Sequence, residues 1–251
     1  MTEYVVNRLT DEFGKQEIAV DCFKIEDTDS SCDIAFSEYD LFGLAYPVHS
    51  FNAPEIVIKF ANKLPVTDGK DTFIFYTAGE DSYLNYASSN LLIKKLNKKN
   101  YQVFYDKLVV MPCNFIIKFD EEKVREIIAK IKEDIPSIAQ EIISHTSFFM
   151  RKNPVAQILS VVGRLEWLGA RTMGIFLFTK DSCTGCGKCI KECPNQNIIM
   201  KKKAGTLKKA VAFKWHCGLC MRCIYGCPEN AIQIRHPFRF IRIDKWYDPL
   251  N

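Results

Sequence analysis

The sequence predicts an α/β chain: a doubly wound parallel sheet over residues 1–150, a helical linker over 151–178, and a small α+β module over 179–251. Three observations carry that expectation. Up to residue 150, short apolar runs that suit buried strands alternate with amphipathic runs that suit helices, the pattern of a parallel sheet covered on both faces. Past residue 178, eight of the eleven cysteines crowd into two copies of one phrase. Between these regions lies an apolar stretch broken by charges.

The elements follow in order. Val5, Val6, Leu9 and Phe13 give Thr2 to Phe13 a helical face, and Gly14 stops it. Glu17 to Phe23 alternates like a strand. Asp40 to Tyr46 reads as a buried strand ended by Pro47, and Pro54 opens a helix that runs to Lys63 before Pro65. Thr72 to Thr77 is a second buried strand. Leu84 to Leu96 reads as a helix, Val103 to Met111 as a strand, and Asp120 to Ile143 as a long helix with an acidic start. Val155 to Phe178 contains Arg164, Glu166 and Arg171, so it reads as an amphipathic linker helix and not as a membrane span.

The cysteine phrase is C-x-x-C-x-x-C-x-x-x-C-P. Its first copy is Cys183, Cys186, Cys189, Cys193 and Pro194; its second, 34 positions on, is Cys217, Cys220, Cys223, Cys227 and Pro228. This is the run of bacterial ferredoxins that carry 4Fe–4S clusters. A four-iron cube wants four thiolates, and one tight loop supplies three. In two-cluster ferredoxins the fourth cysteine of each run serves the other cluster. Carried over, one cluster takes Cys183, Cys186, Cys189 and Cys227, and the other takes Cys217, Cys220, Cys223 and Cys193. Gly185, Gly187, Gly218 and Gly226 would let backbone N–H groups approach the sulfurs. Ile198, Ile199, Ala231 and Ile232 would shield the clusters from water. Zinc knuckles use two cysteines per loop and give the remaining cysteines no role. A disulfide scaffold needs an oxidising compartment, whereas Thr2-Glu3-Tyr4 opens straight into a polar amphipathic pattern without a signal peptide.

Composition bounds the rest. The chain has 251 residues, 47% of them apolar, and a formal charge of +4. That charge is too mild and diffuse for a nucleic-acid protein. Six lysines between Lys201 and Lys214 read as a solvated loop joining the two runs. Cys22, Cys32 and Cys113 stand alone and read as thiols in a reducing cytosol. His145 ends a helix and His216 directly precedes Cys217; neither is assigned chemistry. The aromatic and basic tail from His236 to Asn251 is expected to pack back onto one of the domains. No nucleophile with a base and an orienter is visible, so no catalytic residue is assigned.

Ligands of doubly wound sheets sit at the carboxyl ends of the strands. Two loops there suit a planar ligand: Pro47, Val48, His49, Ser50, Phe51, Asn52 up to Pro54, and Thr77, Ala78, Gly79 up to Tyr83. No G-x-G-x-x-G occurs, so a dinucleotide site is not indicated. With the segment Met111-Pro112-Cys113-Asn114-Phe115 and the doubled cysteine run, these loops resemble the bacterial flavodoxin–ferredoxin fusion proteins over nearly the whole chain. The resemblance implies a flavodoxin-like first domain with FMN at those loops, two 4Fe–4S clusters behind it, and a cytoplasmic redox protein of an anaerobic lifestyle.

The chain departs from that family in places. It opens at the first helix, so that Thr2 matches the last threonine of the phosphate loop and the strand before it is missing. In the 2-1-3-4-5 strand order this loss leaves the ladders of two neighbours open across a gap, and the true start is expected upstream. His49, Ser50, Asn52 and Glu80 replace a ring and glycines. The function implied is intramolecular electron transfer between FMN and the clusters, with unknown redox donor and acceptor proteins. Two other readings stay open: an iron–sulfur module whose first domain has lost FMN and serves as a docking platform, and a flavin-dependent reductase of a small substrate.

Overall fold

The computed structural model describes residues 1–28, 36–113, 119–202 and 209–235. Cys32, Asn114, Phe115, part of the lysine-rich loop and the tail from His236 lie outside them. The chain divides into two compact units, the first running to Arg164 and the second starting at Leu165.

The first unit holds a four-stranded, all-parallel sheet. β1 (Phe42–Pro47), β2 (Lys70–Ala78), β3 (Tyr101–Val110) and the short β4 (Phe148–Phe149) lie side by side in that order. Helix α1 (Thr2–Lys15) and α4 (Glu121–Ile143) cover one face, α2 (Glu55–Lys63) and α3 (Asn90–Asn97) the other. This is the doubly wound α/β class expected. Tyr4, Val5, Leu9 and Phe13 of α1 meet Phe75, Tyr105 and Val109 of the sheet and Ile131, Ile135, Ile138 and Ile142 of α4. Each such buried side chain contributes about 1.5–3 kcal/mol by leaving water. The residues between them on the strands, Leu44, Tyr46, Ile74 and Tyr76, are buried under α2 and α3 with Val57, Ala61, Leu92 and Leu96. Asp120 starts α4 by accepting the Lys123 N–H at 2.8 Å.

Three expectations need correction. Glu17 to Phe23 forms no strand; Ile18, Val20 and Phe23 are exposed instead. A strand persists only where a ladder receives its N–H and C=O groups, and alternation does not supply one. Among the described residues β1 therefore stands at one edge of the sheet, with no strand on its outer side. Leu84 to Leu96 is not one helix. A 3-10 turn at Tyr83–Asn85 comes first, and α3 starts only at Asn90. Val155 to Phe178 likewise breaks into α5 (Pro154–Val162), a 3-10 turn at Gly163–Leu165, α6 (Glu166–Gly174) and β5 (Leu177–Thr179). The break falls at Gly163, where a Cβ would stand 1.9 Å from the Ser50 carbonyl oxygen.

The second unit is a pseudo-repeat. After β5 come α7 (Lys188–Lys191), β6 (Ile198–Lys202), β7 (Lys209–Phe213), α8 (Arg222–Tyr225) and β8 (Ile232–Ile234). β5 pairs antiparallel with β8, and β6 with β7. Shifting the first half by 34 positions carries α7 onto α8 and the start of β6 onto β8. The backbone repeats as well. Gly185 and Leu219 have φ 70° and 50°, Gly187 and Met221 79° and 62°, Gln196 and Asn230 48° and 47°.

Candidate metal centres

Each cysteine run wraps a tight loop that ends in a single helical turn. The left-handed residues before α7 and α8 turn the chain so that three cysteines of a run face inward. One concave site of about 350 Å³ is lined by Cys183, Cys186, Cys189 and Cys227. A second, of about 420 Å³, is lined by Cys193, Cys217, Cys220 and Cys223. Each site therefore gathers three sulfurs of one run and the last of the other. Cys186 and Cys220 are the exposed members of the sets. Among the described residues no three His, Cys, Asp or Glu side chains converge closely enough to hold a single metal ion. The sulfurs encircle a space instead.

Electrostatics point the same way. Burial pushes the Cys189 thiol up to about 11, and Cys183, Cys186 and Cys227 add to the shift. Cys217 also rises to about 11, by burial first and then through Cys220, Cys193 and Glu166, while the Leu219 N–H pulls it back. Cys223 rises further for the same reasons, and its neighbours include Cys189 of the first run. Thiols gathered together and partly withdrawn from water resist ionising unless a cationic centre sits among them. Backbone N–H groups already point at sulfur: Asn197 to Cys193 at 3.2 Å, Ala231 to Cys227 at 3.3 Å and Leu219 to Cys217 at 3.4 Å. The donor set fits an iron–sulfur cluster at each site.

The loops at the carboxyl edge of the sheet are differently disposed. Thr2, in the first turn of α1, meets Thr77 at the end of β2, with hydroxyl oxygens 2.7 Å apart. Met1 holds the cap position of that helix. Pro47 ends β1, and the Val48 N–H donates to the Thr77 carbonyl at 2.8 Å. His49 and Asn52 exchange backbone bonds around Ser50 and Phe51, both left-handed. Burial lowers the His49 imidazole to about 4, although part of its surface still meets solvent. Asn52 is buried and bonded to α5: the Ser160 hydroxyl donates to Asn52 Oδ1 at 3.0 Å, and Asn52 Nδ2 donates to the Ser160 carbonyl. Ala78 precedes Gly79, whose Cα packs on Cys113, and Tyr83 is exposed. Thr2 is thus tied to Thr77, and Asn52 to Ser160, at the carboxyl edge of the sheet.

Residues 182–232 match the family of 4Fe-4S dicluster domains. No curated protein sequence matches the chain. Among solved structures, flavodoxin 1 from Bacillus cereus is similar at 19% identity and a TM-score of 0.41, covering 58% of this chain and 91% of that one. A flavodoxin from Streptococcus pneumoniae is similar at 15% identity and a TM-score of 0.35, over 55% and 90%. The rubredoxin oxygen:oxidoreductase of Desulfovibrio gigas is similar at 11% and 0.33, over 57% and 34%.

The dicluster domain also contains a residue that sequence reading passed over. Asn197 is 2% exposed and lines the second site. Its counterpart 34 positions on is Ala231, so superposing the two halves of the run would have flagged it. His216 takes part only through its backbone N–H, which donates to Asn197 Oδ1 at 2.6 Å. In the first unit, Asp106 of β3 is fully buried, 3.1 Å from Lys152 Nζ. Burial pushes its carboxyl up, while Lys152 and Ser89 pull it back. Nothing in the Tyr-Asp-Lys pattern of that strand announces a buried charge. The lone Cys22 is exposed and bonds the Thr10 hydroxyl at 3.4 Å. His145 stacks on Phe104 and lies 3.4 Å from Asp71. No helix among the described residues is long and apolar enough to cross a membrane.

Proposed function

We propose that this chain is an electron carrier with two 4Fe–4S clusters, one in each four-cysteine site. The reading rests on the crossed gathering of sulfurs, Cys227 with the first run and Cys193 with the second. When bound, each cluster accepts and releases one electron. The protein's part is to hold and tune. Cys183, Cys186, Cys189 and Cys227 ligate one cluster, and Cys217, Cys220, Cys223 and Cys193 the other. Apolar neighbours such as Ile232, Val211, Leu219 and Ile224 keep water from the sulfurs, and the N–H groups of Asn197, Ala231 and Leu219 stabilise charge on them. Cys189 of the first site packs against the same buried cluster as Cys217 and Cys223 of the second, which supports a short path between the clusters. We assign the sheet to residues 1–150, the linker to 151–178 and the cluster domain to 179–251, acting in a reducing cytoplasm between donor and acceptor proteins.

A flavin relay is the second reading. It is favoured by one observation: Thr2 and Thr77, 75 residues apart, meet where a doubly wound sheet binds ligands. FMN binding then requires α5 to release Asn52. Iron, acid-labile sulfide and flavin, quantified on anaerobically purified chain, test both. Two clusters give about eight irons and eight sulfides per chain. Four or fewer irons after reconstitution sink the two-cluster reading. Flavin absent after incubation with FMN removes the relay and leaves the docking platform; flavin retained, with turnover of a small acceptor, points to the reductase.

A further inference from the structure

We propose that Asn197 is a positioning residue that clamps the ligand frame of the second cluster and makes the two sites unequal in how firmly they hold iron. The inference rests on the two-cluster reading above. The halves of the dicluster domain repeat each other's backbone, and residues 197 and 231 occupy the same place in the repeat. Both are buried. Each donates its N–H to the sulfur four residues earlier, Asn197 to Cys193 at 3.2 Å and Ala231 to Cys227 at 3.3 Å. Each carbonyl closes the neighbouring antiparallel strand pair, Asn197 O accepting from the Lys214 N–H at 2.7 Å and Ala231 O from the Lys180 N–H at 2.8 Å.

There the symmetry stops. The Asn197 side chain accepts the backbone N–H of His216 at 2.6 Å, and His216 directly precedes Cys217. Ala231 has only a methyl group at the matching place and can offer Ser182, the counterpart of His216, no acceptor. Asn197 thus holds Cys193 through its backbone and the approach to Cys217 through its amide. These two sulfurs come from different halves of the domain. They are the pair whose separation a loosened module would change first, because within the second run Cys217, Cys220 and Cys223 are joined by short contiguous chain. A fixed frame lowers the tendency of one ligand to swing away and admit a competitor to the iron.

The test is anaerobic iron release to a ferrous chelator, followed by absorbance on the full, cluster-loaded chain, together with EPR of the reduced protein. Wild type must first show about eight irons, as two four-iron clusters require. Fewer sinks this inference along with the reading beneath it. In Asn197→Ala, half the iron should leave roughly fivefold faster, the factor expected from one lost hydrogen bond, and half at the wild-type rate. One of the two reduced-cluster EPR signals should shift while the other stays. Asn197→Asp keeps an acceptor oxygen and should restore slow release; Asn197→Leu keeps the volume without the acceptor and should not. Uniform acceleration of all the iron, no acceleration, fast release from Asn197→Asp or slow release from Asn197→Leu each overturns the clamp while leaving the two-cluster reading intact.

Discussion

Gly187 and Met221 hold the same backbone position 34 residues apart, one step before a helical turn, with φ 79° and 62°. Glycine adopts this left-handed region freely, whereas methionine carries a cost of about 1–2 kcal/mol. Met221 is nonetheless 5% exposed and part of the second unit's core. Removing a buried Met side chain costs about 2–5 kcal/mol, more than the strain it relieves. Met221→Gly should therefore destabilise by about 1–3 kcal/mol despite the better backbone. Gly187→Ala should also destabilise, by about 1 kcal/mol, because the nearest atom to its Cβ is 3.9 Å away and only the backbone objects. Chemical denaturation of the loaded chain checks both.

The crossed sulfur sets predict which cluster each cysteine serves. Cys227→Ala should abolish the site lined by Cys183, Cys186 and Cys189, although that run is untouched. Iron should fall from about eight to about four per chain, with the second cluster's EPR signal retained. Loss of the second signal alone would mean that each run serves its own cluster.

Gly163 seats α5 on the first carboxyl-edge loop. In Gly163→Ala the new Cβ would lie 1.9 Å from the Ser50 carbonyl oxygen, a backbone atom that cannot rotate away. Overpacking of this kind costs about 1–3 kcal/mol, and the bonds between Asn52 and Ser160 should loosen with it. Faster amide exchange of residues 48–53 than in wild type, with the sheet core unaffected, is the expected result.

Lys152 neutralises a fully buried carboxylate. Lys152→Met leaves Asp106 in the sheet without its cation and should cost about 3 kcal/mol or more. Adding Asp106→Leu should recover most of that loss, since an apolar pair of similar size often replaces a buried ion pair without penalty. Thermal melting of the single and double variants reads both effects.

His49 ties stability to acid. Its ordinary value is 6.5 and the folded value is about 4, so the unfolded chain binds the proton first as pH falls. The contribution is complete above about 6.5 and drains away as pH drops toward about 4. Solvent contact at the ring makes it smaller than full burial would give. His49→Gln should flatten the denaturation midpoint between those two pH values and leave it unchanged at pH 8.

Much of this was legible in the chain because the relevant physics is local. The doubled cysteine run and its offset of 34 are contiguous patterns, and so are the helices at Thr2, Pro54 and Asp120 and the apolar strands after Asp40 and Thr72. Each is set by spacing, capping or burial within one short segment. The apparent strand at Glu17 to Phe23 failed because a strand is completed by a neighbour, and its own alternation says nothing about one. The same holds for Asp106, whose charge is tolerated only because Lys152, 46 positions on, reaches it.

Sequence alone established eight thiols in two repeated loops, following a parallel α/β sheet. Only the tertiary structure decided how distant groups meet. It seated α5 on Asn52 and gave Asn197 a partner beside Cys217. The reason is that spacing along a chain governs contacts over a few residues, whereas contacts across tens of residues are settled by which surfaces bury one another.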